Sequence, residues 1–216
     1  MLAEGRYATR CGDVRVGGSP VFVQIMQGKV KDADLLDKQM DAWSRDFKPH
    51  VTGFLGSTSG MDDKGNFIAI ARFESEEAAR KNSDRPEQGE WWETMASAFD
   101  GDVEFTDCAE VDAMLGGGSD SAGFVQIMQG RAVDPEKMRG TAEQMERELQ
   151  KARPDILGGL AAWHGDRKFT QVIYFTSEDA ARSGEQEMSD DPTADEWDSM
   201  LDGEITFIDL RQPRFD

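Results

Sequence analysis

The apolar positions of this chain fall into two rhythms, one of period two and one near 3.6, and their order is written twice. VFVQIMQ at 21–27 is a short run of β-branched and large apolar residues closed by Gly28, which predicts a strand. Beyond it Leu36, Met40, Trp43 and Phe47 recur at i, i+4, i+7 and i+11, the stripe of an amphipathic helix that Pro49 should stop. TGFLGSTSG and NFIAIARF, split by a polar turn, predict a β-hairpin. A second helix is expected to start at Ser75, an N-cap followed by the acidic Glu76 and Glu77, and DVEFTD supplies a last alternating strand.

The same series returns at an offset of 102 residues. FVQIMQG at 22–28 recurs letter for letter at 124–130, FESEEAAR at 73–80 returns as FTSEDAAR at 175–182, and DGDVEFTD at 100–107 as DGEITFID at 202–209. Met138, Ala142, Met145 and Leu149 repeat the helical stripe, Pro154 ends it, and Ser177 is the second N-cap. Each copy therefore reads β-α-β-β-α-β, the ferredoxin-like order, and the fold class is α+β. The expected organisation is a flexible tail over 1–20, a first repeat over 21–108, a linker over 109–122 with a GGGSDS core, and a second repeat over 123–216.

Helices can cover only one face of each sheet, yet the strands are apolar on both. Phe67, Ala69, Ala71 and Phe73 alternate with Ile68 and Ile70, so the second face needs a cover, and the tethered copy is the nearest one. Two antiparallel sheets packed face to face, with helices outside, make a closed barrel: a pseudo-dimer within one chain.

Charge narrows the partners. The chain has 216 residues, of which 43 are acidic and 24 basic, and a formal net charge of -19, a surface that repels nucleic-acid phosphates and anionic membranes alike. Cys11 and Cys108 form no spaced motif, His50 and His164 are not equivalent under the repeat, and no His/Asp/Glu spacing suggests a metal site. Dinucleotide and P-loop fingerprints are missing, no apolar run reaches 18 residues, and the N-terminus lacks a signal-peptide core. The expectation is a cytoplasmic protein with a small-molecule ligand and no cofactor; a further homodimer stays open.

The element order, the FESEEAAR/FTSEDAAR strand-to-helix pattern and the duplication together resemble the dimeric α/β-barrel superfamily, most closely its antibiotic biosynthesis monooxygenase-like branch in fused tandem form. The resemblance implies cofactor-independent oxygenation of an electron-rich aromatic substrate. It leaves two alternatives open, a non-catalytic or stress-associated ligand-binding barrel and a haem-binding or haem-degrading protein. Haem-degrading relatives use an asparagine on the first strand, a tryptophan, and a histidine on the second helix. Here the first strands carry Gln24 and Gln126 and the second helices lack histidine, while Trp91 and Trp92 remain.

Strand alternation then sorts candidate site residues by face. Phe73 and Phe175 should pack beneath the helices, which turns the equivalent Arg72 and Tyr174 into the interior between the sheets. There they are the catalytic candidates: Arg72 would orient a ligand anion, make a structural ion pair or reach solvent at the barrel rim, and Tyr174 would donate a proton or a hydrogen bond or simply pack. If Val23/Ile25 and Val125/Ile127 face the helices, Gln24 and Gln126 line the same interior, bonding a ligand or one another. Asn82, Arg85, Trp91 and Trp92 lie where the copies diverge, so they are either ligand-binding residues of the first copy or products of surface drift.

Overall fold

The computed structural model describes residues 15–16, 19–189 and 197–216; the rest of the expected tail, with Cys11, and the 190–196 stretch lie outside the described residues. A two-stranded ribbon of β1 (Arg15–Val16) and β2 (Ser19–Pro20) precedes the first repeat. That repeat runs β3 (Phe22–Lys29), α1 (Ala33–Ala42), β4 (Phe54–Met61), β5 (Asn66–Phe73), α2 (Glu76–Ser83), α3 (Pro86–Ala96) and β6 (Glu104–Cys108). After β7 (Glu110–Met114), the second repeat runs β8 (Phe124–Arg131), α4 (Pro135–Ala152), β9 (Ile156–His164), β10 (Lys168–Phe175), α5 (Glu178–Ser189) and β11 (Thr206–Leu210), and β12 (Arg214–Phe215) follows.

Helix starts follow the side chains expected to cap them. Ser75 Oγ accepts from Ala78 N at 3.1 Å and Ser177 Oγ from Ala180 N at 3.2 Å, each satisfying a first-turn donor that has no partner within its helix. Two helices depart from the expected pattern. α1 ends at Ala42 and its stripe continues through a wider π-helical turn, Trp43–Phe47. The second helix of the first repeat is two helices, because Pro86 disfavours helical backbone at the preceding residue; Arg85 is extended, with φ -72° and ψ 127°.

Each repeat contributes an antiparallel four-stranded core, and each sheet gains a fifth strand from beyond the other repeat. The sheet orders are β12-β4-β5-β3-β6 and β11-β8-β10-β9-β7. The residues after β6 cross over to pair with β9, and those after β11 cross back to pair with β4. Glu110–Met114, within the stretch expected to be linker, therefore belongs to the second sheet.

The sheets pack face to face through a mainly aliphatic layer. Val23, Ile25, Ile68 and Ile70 of one sheet share a cluster with Val125, Ile127, Val172 and Leu210 of the other, all essentially inaccessible to water. This overturns the condition on which Gln24 and Gln126 were placed in the interior. Valine and isoleucine fill the space between two sheets in stiff rotamers and bring no polar atom of their own, so they take the inner face and Gln24 and Gln126 turn to the helices. The second glutamines of the heptapeptide meet instead: Gln27 Nε2 donates to Gln129 Oε1 and Gln129 Nε2 to Gln27 Oε1, both at 3.0 Å. A self-complementary amide pair across a pseudo-twofold axis satisfies two partly buried polar groups with one residue type.

Candidate ligand site

The inner layer is filled, but the outer side of the first sheet is not. A cavity of about 390 Å³ lies between that sheet and α1, α2 and α3, within the range of small-molecule sites. Its floor is Gln24 and Met26 from β3, Ser57 from β4, and Ala69, Ala71 and Phe73 from β5. Small side chains at 57, 69 and 71 set the floor low. The walls are aromatic: Trp43 and Phe54 stand edge to face at 5.1 Å, and Trp91, Trp92 and Phe105 close the far side, with Trp92 and Phe105 at 5.0 Å.

Two wall tryptophans are fixed by their indole donors. Trp91 Nε1 donates to the Gln39 carbonyl at 2.9 Å, and Trp43 Nε1 to Gln88 Oε1 at 3.2 Å. Gln24 Nε2 donates to Asp107 Oδ1 at 2.9 Å. Against this satisfied background Asn82 stands out: it lines the cavity, is 9% exposed, and its Oδ1 is buried with no hydrogen-bond partner. An amide oxygen in that state costs free energy that a ligand donor would recover. No lining residue is ionisable, so the cavity is a neutral apolar slot with amide and hydroxyl groups at its edge.

Among the described residues of the second repeat, larger side chains take up equivalent positions. Gly184 replaces Asn82, and a Cβ there would meet the Arg153 guanidinium at 1.9 Å. Arg153, where the first repeat has Val51, is 7% exposed and lies over the Phe175 ring at 5.8 Å. It donates to both Asp155 oxygens at 2.9 and 2.8 Å, which holds that carboxyl below its usual range. Ile173 takes the place of Ala71, both being paired to the matching glutamine of the first strand. Gln126 is committed to Glu185 at 2.8 Å and Asp209 at 3.3 Å.

The expected site residues thus separate into groups. Gln24, Asn82, Trp91 and Trp92 come together at the first-repeat cavity. Arg85 sits outside the lining and pairs with Glu87 at 3.1 Å, while its buried Nη1 has no partner. Gln126 lies on the second sheet, bonded to Glu185 and Asp209. Arg72 and Tyr174 face the interior between the sheets, on the opposite side of the first sheet from the cavity. Tyr174 is fully enclosed and shares a 2.8 Å hydrogen bond with Thr58, and burial raises its pKa, so it is held as a phenol. Trp43, Phe54, Phe73 and Phe105 are cavity residues that their periodicity presents only as core.

Comparison with known proteins agrees on the fold. No protein-family model matches the chain, and no curated protein does. Among solved structures, a candidate monooxygenase from Fusobacterium nucleatum superposes with TM-score 0.68 over 89% of this chain and 92% of its own, at 10% identity. An anthrone oxidase-like protein gives 0.63 over 91% and 94% at 10% identity, and a candidate chlorite dismutase 0.56 over 89% and 94% at 11% identity. The chain has the fold of a dimeric α/β barrel. The cavity lining offers no imidazole, thiolate or phenolate to a haem iron; its side chains able to ligate one are the thioethers of Met26 and Met40. Among the described residues no three His, Cys, Asp or Glu side chains are grouped to hold a metal, and no helix is long and apolar enough to cross a membrane.

Proposed function

We propose that the barrel binds a flat, uncharged aromatic molecule in the helix-side cavity of its first repeat. The observation that carries this reading is the contrast between repeats at the described positions: the first has an open, aromatic-walled slot edged by an unpartnered amide oxygen, whereas in the second Arg153 lies where Asn82 would stand. Aromatic walls grip a planar π-system by stacking and edge contacts, and the Asn82 Oδ1 selects a ligand with a hydroxyl or N–H at one edge.

The chemistry consistent with that ligand is cofactor-independent oxygenation. An anthrone-like methylene oxidised by O₂ to a carbonyl, with the second oxygen atom leaving as water, balances in electrons without an added reductant. The protein's part would be to orient the ring and exclude water. The absence of ionisable lining groups favours a second reading, a binder that performs no proton transfer. Titration of the protein with a hydroxyanthrone, read by tryptophan fluorescence, tests the site, and an oxygen electrode tests turnover. Saturable quenching with protein-dependent oxygen uptake supports the oxygenase. Saturable quenching without uptake supports the binder, and neither result sustains the proposal if quenching is non-saturable.

A further inference from the structure

Arginine in this protein is almost always paired. Among the arginines whose side chains are described, Arg72 alone has no carboxylate within 4.0 Å. It makes no hydrogen bond, and its Nε is fully enclosed without a partner. In a chain with 43 acidic residues that vacancy is not for want of carboxylates.

The surroundings explain what could fill it. Arg72 ends β5 on the inner face, and Tyr174, its equivalent under the repeat, ends β10 on the facing sheet. Both reach Gly118: a Cβ at that position would lie 2.8 Å from Arg72 Nη1 and 3.2 Å from the Tyr174 hydroxyl. A Cβ at Gly56 would lie 2.6 Å from Nη2 and 3.1 Å from a main-chain oxygen of Asp216, the last residue of the sequence. Glycine at 56 and 118 leaves the guanidinium uncrowded. Asp120 lies close enough to act on the Tyr174 phenol, but it makes no ion pair with Arg72.

We propose that Arg72 and the Tyr174 hydroxyl form a site for a small oxyanion, a carboxylate or phosphate group, at the end of the barrel interior where the two sheets meet. A planar guanidinium presents parallel N–H donors that match the spacing of two oxyanion oxygens, and the enclosed Nε is a donor whose desolvation an anion offsets. Tyr174, kept as a phenol, donates its one proton to the anion, with Thr58 Oγ1 donating in the hydrogen bond the two hydroxyls share. The site is distinct from the aromatic cavity because Arg72 points away from Ala71 and Phe73, which line that cavity.

Calorimetric titration of the full chain with inorganic phosphate, and separately with acetate, in chloride at constant ionic strength tests this. Wild type should show a saturable heat with at least one anion; phosphate alone marks a tetrahedral group, and acetate as well marks a site shared by carboxylates. Arg72→Gln should weaken it by roughly tenfold or more, and Tyr174→Phe severalfold. Both variants should bind a neutral aromatic probe such as 1-naphthol as wild type does, which separates failure here from failure of the cavity proposal. No saturable heat with either anion overturns the site. So does a Tyr174→Phe protein that binds as tightly as wild type, a readout that serves if Arg72→Gln does not fold.

Discussion

Replacing Ala71 by isoleucine would rebuild in the first repeat what the second already has at Ile173. Ala71 lies on the cavity floor, paired across the ladders with Gln24 and Ser57. The substitution adds three carbon atoms to a strand position that accepts β-branched side chains, and it places them in open space. At roughly 0.8 kcal/mol per buried methylene, and allowing for a compact unfolded chain, Ala71→Ile should stabilise the protein by about 1–2 kcal/mol. In urea that moves the unfolding midpoint upward by about 0.5 M. The same atoms occupy the ligand's volume, so quenching by a hydroxyanthrone should weaken at least tenfold. Stability gained together with binding lost is the signature of filling a functional cavity. A variant that is destabilised by more than about 1 kcal/mol, as overpacking would cause, and that still binds would refute the reasoning.

Further outcomes follow from single groups. Asn82→Leu removes an unpartnered buried oxygen, so stability should hold or rise, while affinity for a hydroxylated ligand should fall about tenfold relative to its deoxy analogue, as paired titrations would read. Burial raises the Tyr174 pKa, so its contribution is fully present below the ordinary phenol value of 10.0 and is lost as pH rises through the folded value; denaturation curves of wild type above pH 10 should fall more steeply than those of Tyr174→Phe. The Cys108 thiol is pushed up to about 12 by burial, with Asp107 adding to it, and in a Cys11→Ser background it should resist a thiol reagent at pH 8 until the protein is unfolded. Gln27→Ala removes half of the amide pair while Gln129 keeps its bond to Thr170, so it should cost about 0.5–1.5 kcal/mol in urea unfolding.

The repeat and its periods made the fold legible. Strand and helix order, the capping serines at 75 and 177, and two apolar faces that demand each other are all local or pairwise consequences of sequence. Which face is which was harder. Alternation separates Val23 and Ile25 from Gln24 but does not say which set meets the helices, and that choice decided where every glutamine went. The strand exchange was hidden because EVDAM reads as polar connection until the open edge of β9 gives it a partner. The cavity was half legible. Divergence between the copies marked Asn82, Trp91 and Trp92, whereas Trp43 and Phe105 carry core periodicity and Arg153 takes the place of Asn82 only through Gly184 and Phe175.

Five tryptophans make the central claim directly measurable, since Trp43, Trp91 and Trp92 line the first-repeat cavity while Trp163 and Trp197 pack in the second repeat. Fluorine NMR of protein labelled with 5-fluorotryptophan, recorded with and without saturating hydroxyanthrone, resolves each indole. Ligand in the first-repeat cavity predicts shifts for Trp43, Trp91 and Trp92 with Trp163 and Trp197 unmoved. Shifts confined to Trp163 and Trp197, or no shift at saturation, would contradict it.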